Sequence, residues 1–175
     1  MNETMRERAF SWDAPADVLQ GIIGREHLAW MQDMRDGKIP GAPVARMLAM
    51  YPEIVEDGRV TFAMNAEEWM ANPVGVIHGG MTATLLDTVM TLAVMTKLPR
   101  ERVCTTLDLS LHYVRPLFPT GEKIVAEGIV VHTGATVGTA EGKLYDERRR
   151  LIAHGTATLA IIDATRQRRG SSPDS

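Results

Sequence analysis

The stretch Asn72-Pro73-Val74-Gly75-Val76-Ile77-His78-Gly79-Gly80-Met81-Thr82-Ala83-Thr84-Leu85-Leu86-Asp87 decides the fold. Its first half is rich in residues that break helices. Its second half starts a long apolar helix that runs from about Gly80 to Lys97 and is closed by Pro99. Between Met81 and Thr96 the one charged residue is Asp87. Ala83, Leu85, Leu86, Val89, Met90, Leu92, Ala93, Val94 and Met95 leave almost no face for water, so other structure has to enclose this helix. The run is too short, and too clearly interrupted by a carboxylate, to span a bilayer.

Thr84, Thr88 and Thr91 stand at i−3, i+1 and i+4 from Asp87 and form one narrow polar stripe with it. A water-facing stripe usually carries several Lys, Glu or Arg; this one carries a single acid among threonines. A carboxylate beside an apolar site is expensive to desolvate, and such groups are kept where chemistry uses them. Gly79 and Gly80 add a second element. The first amides of a helix lack internal partners, the helix dipole is positive there, and glycine lets a substrate approach the backbone. Together they are a candidate oxyanion hole. His78, beside them and without a carboxylate at ligand spacing, is expected to orient the loop rather than hold a metal. The remaining histidines do not cluster in sequence, so neither a metal nor a cofactor is expected.

The spacing of Asn72 six residues before His78-Gly79-Gly80, with Asp87 eight after Gly79, resembles the hotdog-fold acyl-CoA thioesterases of the phenylacetate-degradation (PaaI-like) type. Tyr113-Val114-Arg115-Pro116 followed by Gly121, and Ala153-His154-Gly155-Thr156-Ala157-Thr158, carry the resemblance on, so that it spans roughly Pro43 to Asp163. It implies an α+β hotdog fold: one long central helix wrapped by a curved antiparallel sheet of five to six strands. The chain then divides into an N-terminal extension with a helix (1–42), a hotdog thioesterase domain (43–163) and a disordered tail (164–175). The implied activity is hydrolysis of an acyl-CoA thioester, with Asp87 as nucleophile or general base and Asn72 and Thr105 placing substrate or water. The resemblance also implies that Arg115 and the turn His132-Thr133-Gly134 meet the CoA moiety. Many relatives carry Arg or Lys after that glycine, where this chain has Ala135, which puts the phosphate contacts in doubt. Two other readings use the same fold. A non-catalytic acyl-CoA-binding protein would not need Asp87, and an enoyl-CoA hydratase-type enzyme would pair the acid with a His a few residues later, which this helix lacks.

One geometric consequence concerns assembly. Eight residues at 1.5 Å each separate Gly79 from Asp87 by about 12 Å along one helix, whereas a reacting carbonyl has to lie about 3 Å from both its donors and its attacking group. Two antiparallel helices related by a two-fold axis solve this, so the expected assembly is a homodimer with shared sites, with a dimer of dimers as a further state.

The 175 residues of the chain are 45% hydrophobic, enough for one domain with a core. A net charge of −3 gives no electrostatic case for nucleic acid. The lone Cys104 excludes an intrachain disulfide and reads as a small hydrophobe. Residues 1–15 lack an apolar leader, which predicts a cytoplasmic protein. A single helix is expected over Asp17–Asp36, and a first strand over Ala45–Val55. Strands are expected around Val60–Met64, Val103–Val114, Lys123–Val131, Thr136–Tyr145 and Leu151–Ile162, with the turn signals after the helix recurring as in an antiparallel meander.

Overall fold

Helix α4 (Gly79–Thr96) packs against five strands of one six-stranded antiparallel sheet. Strands lie about 4.8 Å apart and a helix is only about 10 Å across, so five strands can touch one helix only if the sheet curves round it. The computed structural model describes residues 5–164. The strands are β1 (Tyr51–Glu56), β2 (Arg59–Asn65), β3 (Arg102–Tyr113), β4 (Lys123–Thr133), β5 (Val137–Tyr145) and β6 (Leu151–Asp163). Their spatial order is β1-β2-β4-β5-β6-β3. The helix-plus-curved-sheet architecture is the one the sequence implied. The simple meander is not complete: α4 carries the chain from β2 across to the far edge, where β3 pairs only with β6.

The sheet fits the helix through glycine. Gly128 of β4 lies so close to α4 that a Cβ there would stand 2.3 Å from the Val89 carbonyl oxygen. One at Gly142 of β5 would stand 2.9 Å from the Met90 sulfur. Leu85, Leu86, Val89, Met90, Ala93 and Val94 are completely buried here, which is why α4 can be apolar all round. Among the described residues no helix is long and apolar enough to cross a membrane.

The N-terminal extension departs from the expected single helix. It forms α1 (Pro15–Ile22) and α2 (His27–Arg35), interrupted at Gly24, whose φ of 80° is open to glycine and unfavourable for other residues. The expected strand from Ala45 begins instead as α3 (Pro43–Leu48). Pro43 opens this turn, and Ala49 ends it in the left-handed region at φ 51° before β1 starts. Trp30 and Met31 of α2 are buried in the same core as α4, so this extension is part of the domain's packing. Apart from Ala164, the tail expected to be disordered lies outside the described residues.

Replacing Gly128 with Ala forces the β4 backbone and α4 apart. Overpacking of this kind costs about 1–3 kcal/mol, and the urea midpoint should fall accordingly with the m-value unchanged.

Candidate functional site

Asn72, Gly79 and Arg115 line one cavity and Asp87 and Thr105 another, while His78, Gly80 and the His132–Gly134 segment line neither. The first, about 350 Å³, is lined by Asn72, Gly79, Thr82, Tyr113, Arg115 and Leu117 among others. The second, about 280 Å³, is lined by Asp87, Thr88, Thr91, Thr105 and Thr106 on one side and by Trp30, Met34, Met50 and Leu92 on the other.

At the first cavity the loop before α4 is held by its own polar groups. The Asn72 Oδ1 accepts from the amides of Val74 (3.1 Å) and Val76 (3.3 Å), an Asx-type turn that fixes the side-chain amide and leaves Nδ2 as its donor. His78 is the N-cap of α4: its Nδ1 accepts from the Gly80 amide at 2.9 Å. The two glycine amides are therefore not equivalent. That of Gly80 is engaged by the cap, and Gly79 is the glycine that lines the cavity. The Gly79 carbonyl accepts from Tyr113 Oη at 2.7 Å and from Thr82 Oγ1 at 3.0 Å. A Cβ on Gly79 would sit 3.3 Å from the Tyr113 ring, so a side chain there would push the tyrosine away.

At the second cavity Asp87 is half-buried, and its Oδ1 accepts from Thr106 Oγ1 at 2.7 Å. Thr106, which the sequence did not single out, is thus the residue that bonds the carboxylate. Sequence alternation missed it because a β-bulge between Thr106 and Asp108 breaks the strand's two-residue period and leaves Leu107 64% exposed. Thr105 lines the same cavity from an exposed position. Of the threonine stripe, Thr91 stands 3.4 Å from Thr106 Oγ1, while Thr84 and Thr88 donate back to helix carbonyls.

Arg115 lies in the first cavity, where its Nη1 donates to the Leu151 carbonyl at 2.7 Å. The expected turn His132-Thr133-Gly134 begins later than read, since β4 runs through Thr133 and the Gly134 amide donates to the Val137 carbonyl. Tyr113 pairs with Ala153, whereas Val137 pairs with Ala160 on the same strand β6. Seven residues of strand, roughly 23 Å, therefore separate the Arg115 end of one chain from its own His132–Gly134 end.

The thioesterase superfamily model matches residues 74–153. Human acyl-coenzyme A thioesterase 13 is 33% identical over 102 residues, covering 58% of this chain and 71% of that protein. Among solved structures, a phenylacetic acid degradation-related protein from Ralstonia eutropha is 29% identical with a TM-score of 0.67, covering 74% of this chain and 98% of its own. The Escherichia coli PaaI protein shares the fold at 20% identity and a TM-score of 0.67, covering 78% of this chain and 95% of its own.

Cys104 also lines the second cavity, and its Sγ donates weakly to the Thr91 carbonyl. Burial, with the Asp87 charge adding to it, pushes its thiol up from 9.0 to about 12. At pH 8 about one molecule in 10⁴ then carries the reactive thiolate. The folded protein should resist iodoacetamide at pH 8 and label once unfolded in urea, as read by intact mass.

Proposed function

Because the chain belongs to the thioesterase superfamily, we propose that it is a thioester hydrolase that cleaves an acyl-CoA to the free acid and CoA. The observation that carries this reading is the Asp87–Thr106 pair lining a mostly apolar cavity. A carboxylate held by one hydroxyl keeps its second oxygen for chemistry. That oxygen either attacks the thioester carbon or takes a proton from an attacking water, and Thr105 is suited to position such a water. The developing oxyanion is met by the Gly79 amide at the positive end of α4 and by Asn72 Nδ2. With its amide engaged by His78, Gly80 contributes backbone freedom at the helix start rather than a donor. His78 acts through this cap. Arg115 beside the Gly79 cavity and the His132–Gly134 segment are assigned to the CoA moiety.

In this reading each active site is built from two copies of the chain in a homodimer. Support comes from the two cavities, which divide Asn72 and Gly79 from Asp87 and Thr105, and from β3. That strand forms an edge of the sheet and bears Thr106 toward one end and Tyr113 at the other. Antiparallel pairing of β3 with a second β3, about an axis between Leu109 and Ser110, sets Thr106 of one copy opposite Tyr113 of the other. Through their hydrogen bonds those residues carry Asp87 and Gly79 with them. The same two-fold brings the Arg115 end of one copy toward the His132–Gly134 end of its partner, so one CoA would touch both.

Asp87→Asn keeps the shape and most hydrogen bonding of the side chain but removes its basic, nucleophilic oxygen. Its kcat should fall by about 10²-fold or more with the circular dichroism spectrum unchanged; full turnover in a folded variant refutes the mechanism.

Mixing Asp87→Asn subunits with Asn72→Ala subunits tests sharing directly. Each mixed dimer holds one intact site and one doubly damaged site. Random pairing makes half the dimers mixed, so activity should recover toward about a quarter of wild type. Verified mixed dimers that gain nothing over either parent refute the shared site.

A further inference from the structure

The cavity beside Asp87 is not the only one on its side of the molecule. A second, about 500 Å³, opens between the α2–α3 connection and β1 and is bordered by Lys38, Pro40 and Tyr51. Met34, Ala45, Met50 and Phe62 line both cavities. One layer of side chains therefore divides the Asp87 cavity from this outer cleft. Phe62 is fully buried on β2, and Ala45 ends at its Cβ. The two methionines are the members that decide how far the partition reaches: Met50 is 6% exposed and Met34 half-buried, and both are unbranched and adaptable. The partition comes from residues 34–62, all outside the stretch 74–153 that matches the family model: Met34 from the N-terminal extension, and Ala45, Met50 and Phe62 from the first part of the domain.

We infer that Met34 and Met50 close the far end of the acyl pocket and so set the longest acyl chain the enzyme accepts. The inference rests on the thioesterase reading for the identity of the substrate. An apolar cavity of about 150 Å³ holds benzene, so 280 Å³ holds an acyl body of up to about eleven carbons. A longer chain has to push through the methionine layer into the outer cleft. The selected substrates are medium-length acyl groups.

The test is a series of saturated straight-chain acyl-CoAs from acetyl to stearoyl, read as released thiol. It compares the wild type with Met34→Ala/Met50→Ala, which joins the two cavities, and Ala45→Leu, which thickens the wall. The wild type should peak near octanoyl- and decanoyl-CoA. The double variant should raise kcat/KM for palmitoyl- relative to octanoyl-CoA by about tenfold or more, and Ala45→Leu should move the peak to shorter chains. The half-buried Met34→Ala single variant serves if the double variant melts early. Calorimetric binding of the matching non-hydrolysable S-(2-oxoalkyl)-CoA thioethers reads pocket length without catalysis. A length profile that stays at its wild-type position in the folded variants, by both turnover and binding, overturns the inference. No thiol release from any acyl-CoA, with analogue affinities that still shift as described, overturns the thioesterase reading and leaves the methionine wall standing.

Discussion

Helix α4 is a rigid rod, and it fixes the distance between its own first amides and its one carboxylate. Backbone hydrogen bonds set the rise per residue, so no side-chain rearrangement brings Gly79 to Asp87 within a chain. Everything around the helix preserves that rod. Six of its apolar side chains are completely buried, and glycines on β4 and β5 allow the sheet to close on it to backbone contact. The same close approach that stabilises the helix leaves no room for it to bend. The shared site proposed above rests on this fixed separation.

The two half-sites are organised differently. At the Gly79 end, backbone polarity dominates: Asn72 pins the loop, His78 caps the helix, and Tyr113 ties the Gly79 carbonyl to β3. These bonds fix the loop and the start of the helix, on which the proposed oxyanion role of the Gly79 amide depends. At the Asp87 end a single carboxylate sits among threonine hydroxyls and apolar side chains. The neighbouring Cys104 is held as a neutral thiol, so the cavity contains one nucleophilic or basic group rather than two.

The N-terminal segment changes the character of the second half-site. α2 and α3 are short and have little stability of their own, yet Trp30, Ala45 and Leu48 are buried in the core that α4 defines. His27 is also buried and bonds the Arg102 carbonyl at 2.7 Å, which ties α2 to the start of β3. A segment attached this firmly can serve as a wall. Its packing against β1 and β2 converts an open face of the helix into a cavity of defined size.

Much of this was legible in the chain because it depends on local chemistry. An apolar helix with one acid, opened by His78-Gly79-Gly80, carries its meaning in the order of its residues. The strands β2 and β4–β6 follow from alternation and turn residues, and the distance between Gly79 and Asp87 follows from helix rise alone. Other features arise only where distant segments meet. Alternation cannot reveal the bulge that turns Thr106 onto Asp87, because the bulge is a mismatch of register between β3 and β6. Nor could the spacing within α4 show that His78 would take the Gly80 amide and leave Gly79 at the cavity. The break at Gly24, the helical start at Pro43 and the position of β3 at the far edge depend on packing that propensity does not encode. The methionine partition joins α2, the approach to β1 and β2, segments whose shared cavity wall exists only once the sheet has wrapped the helix.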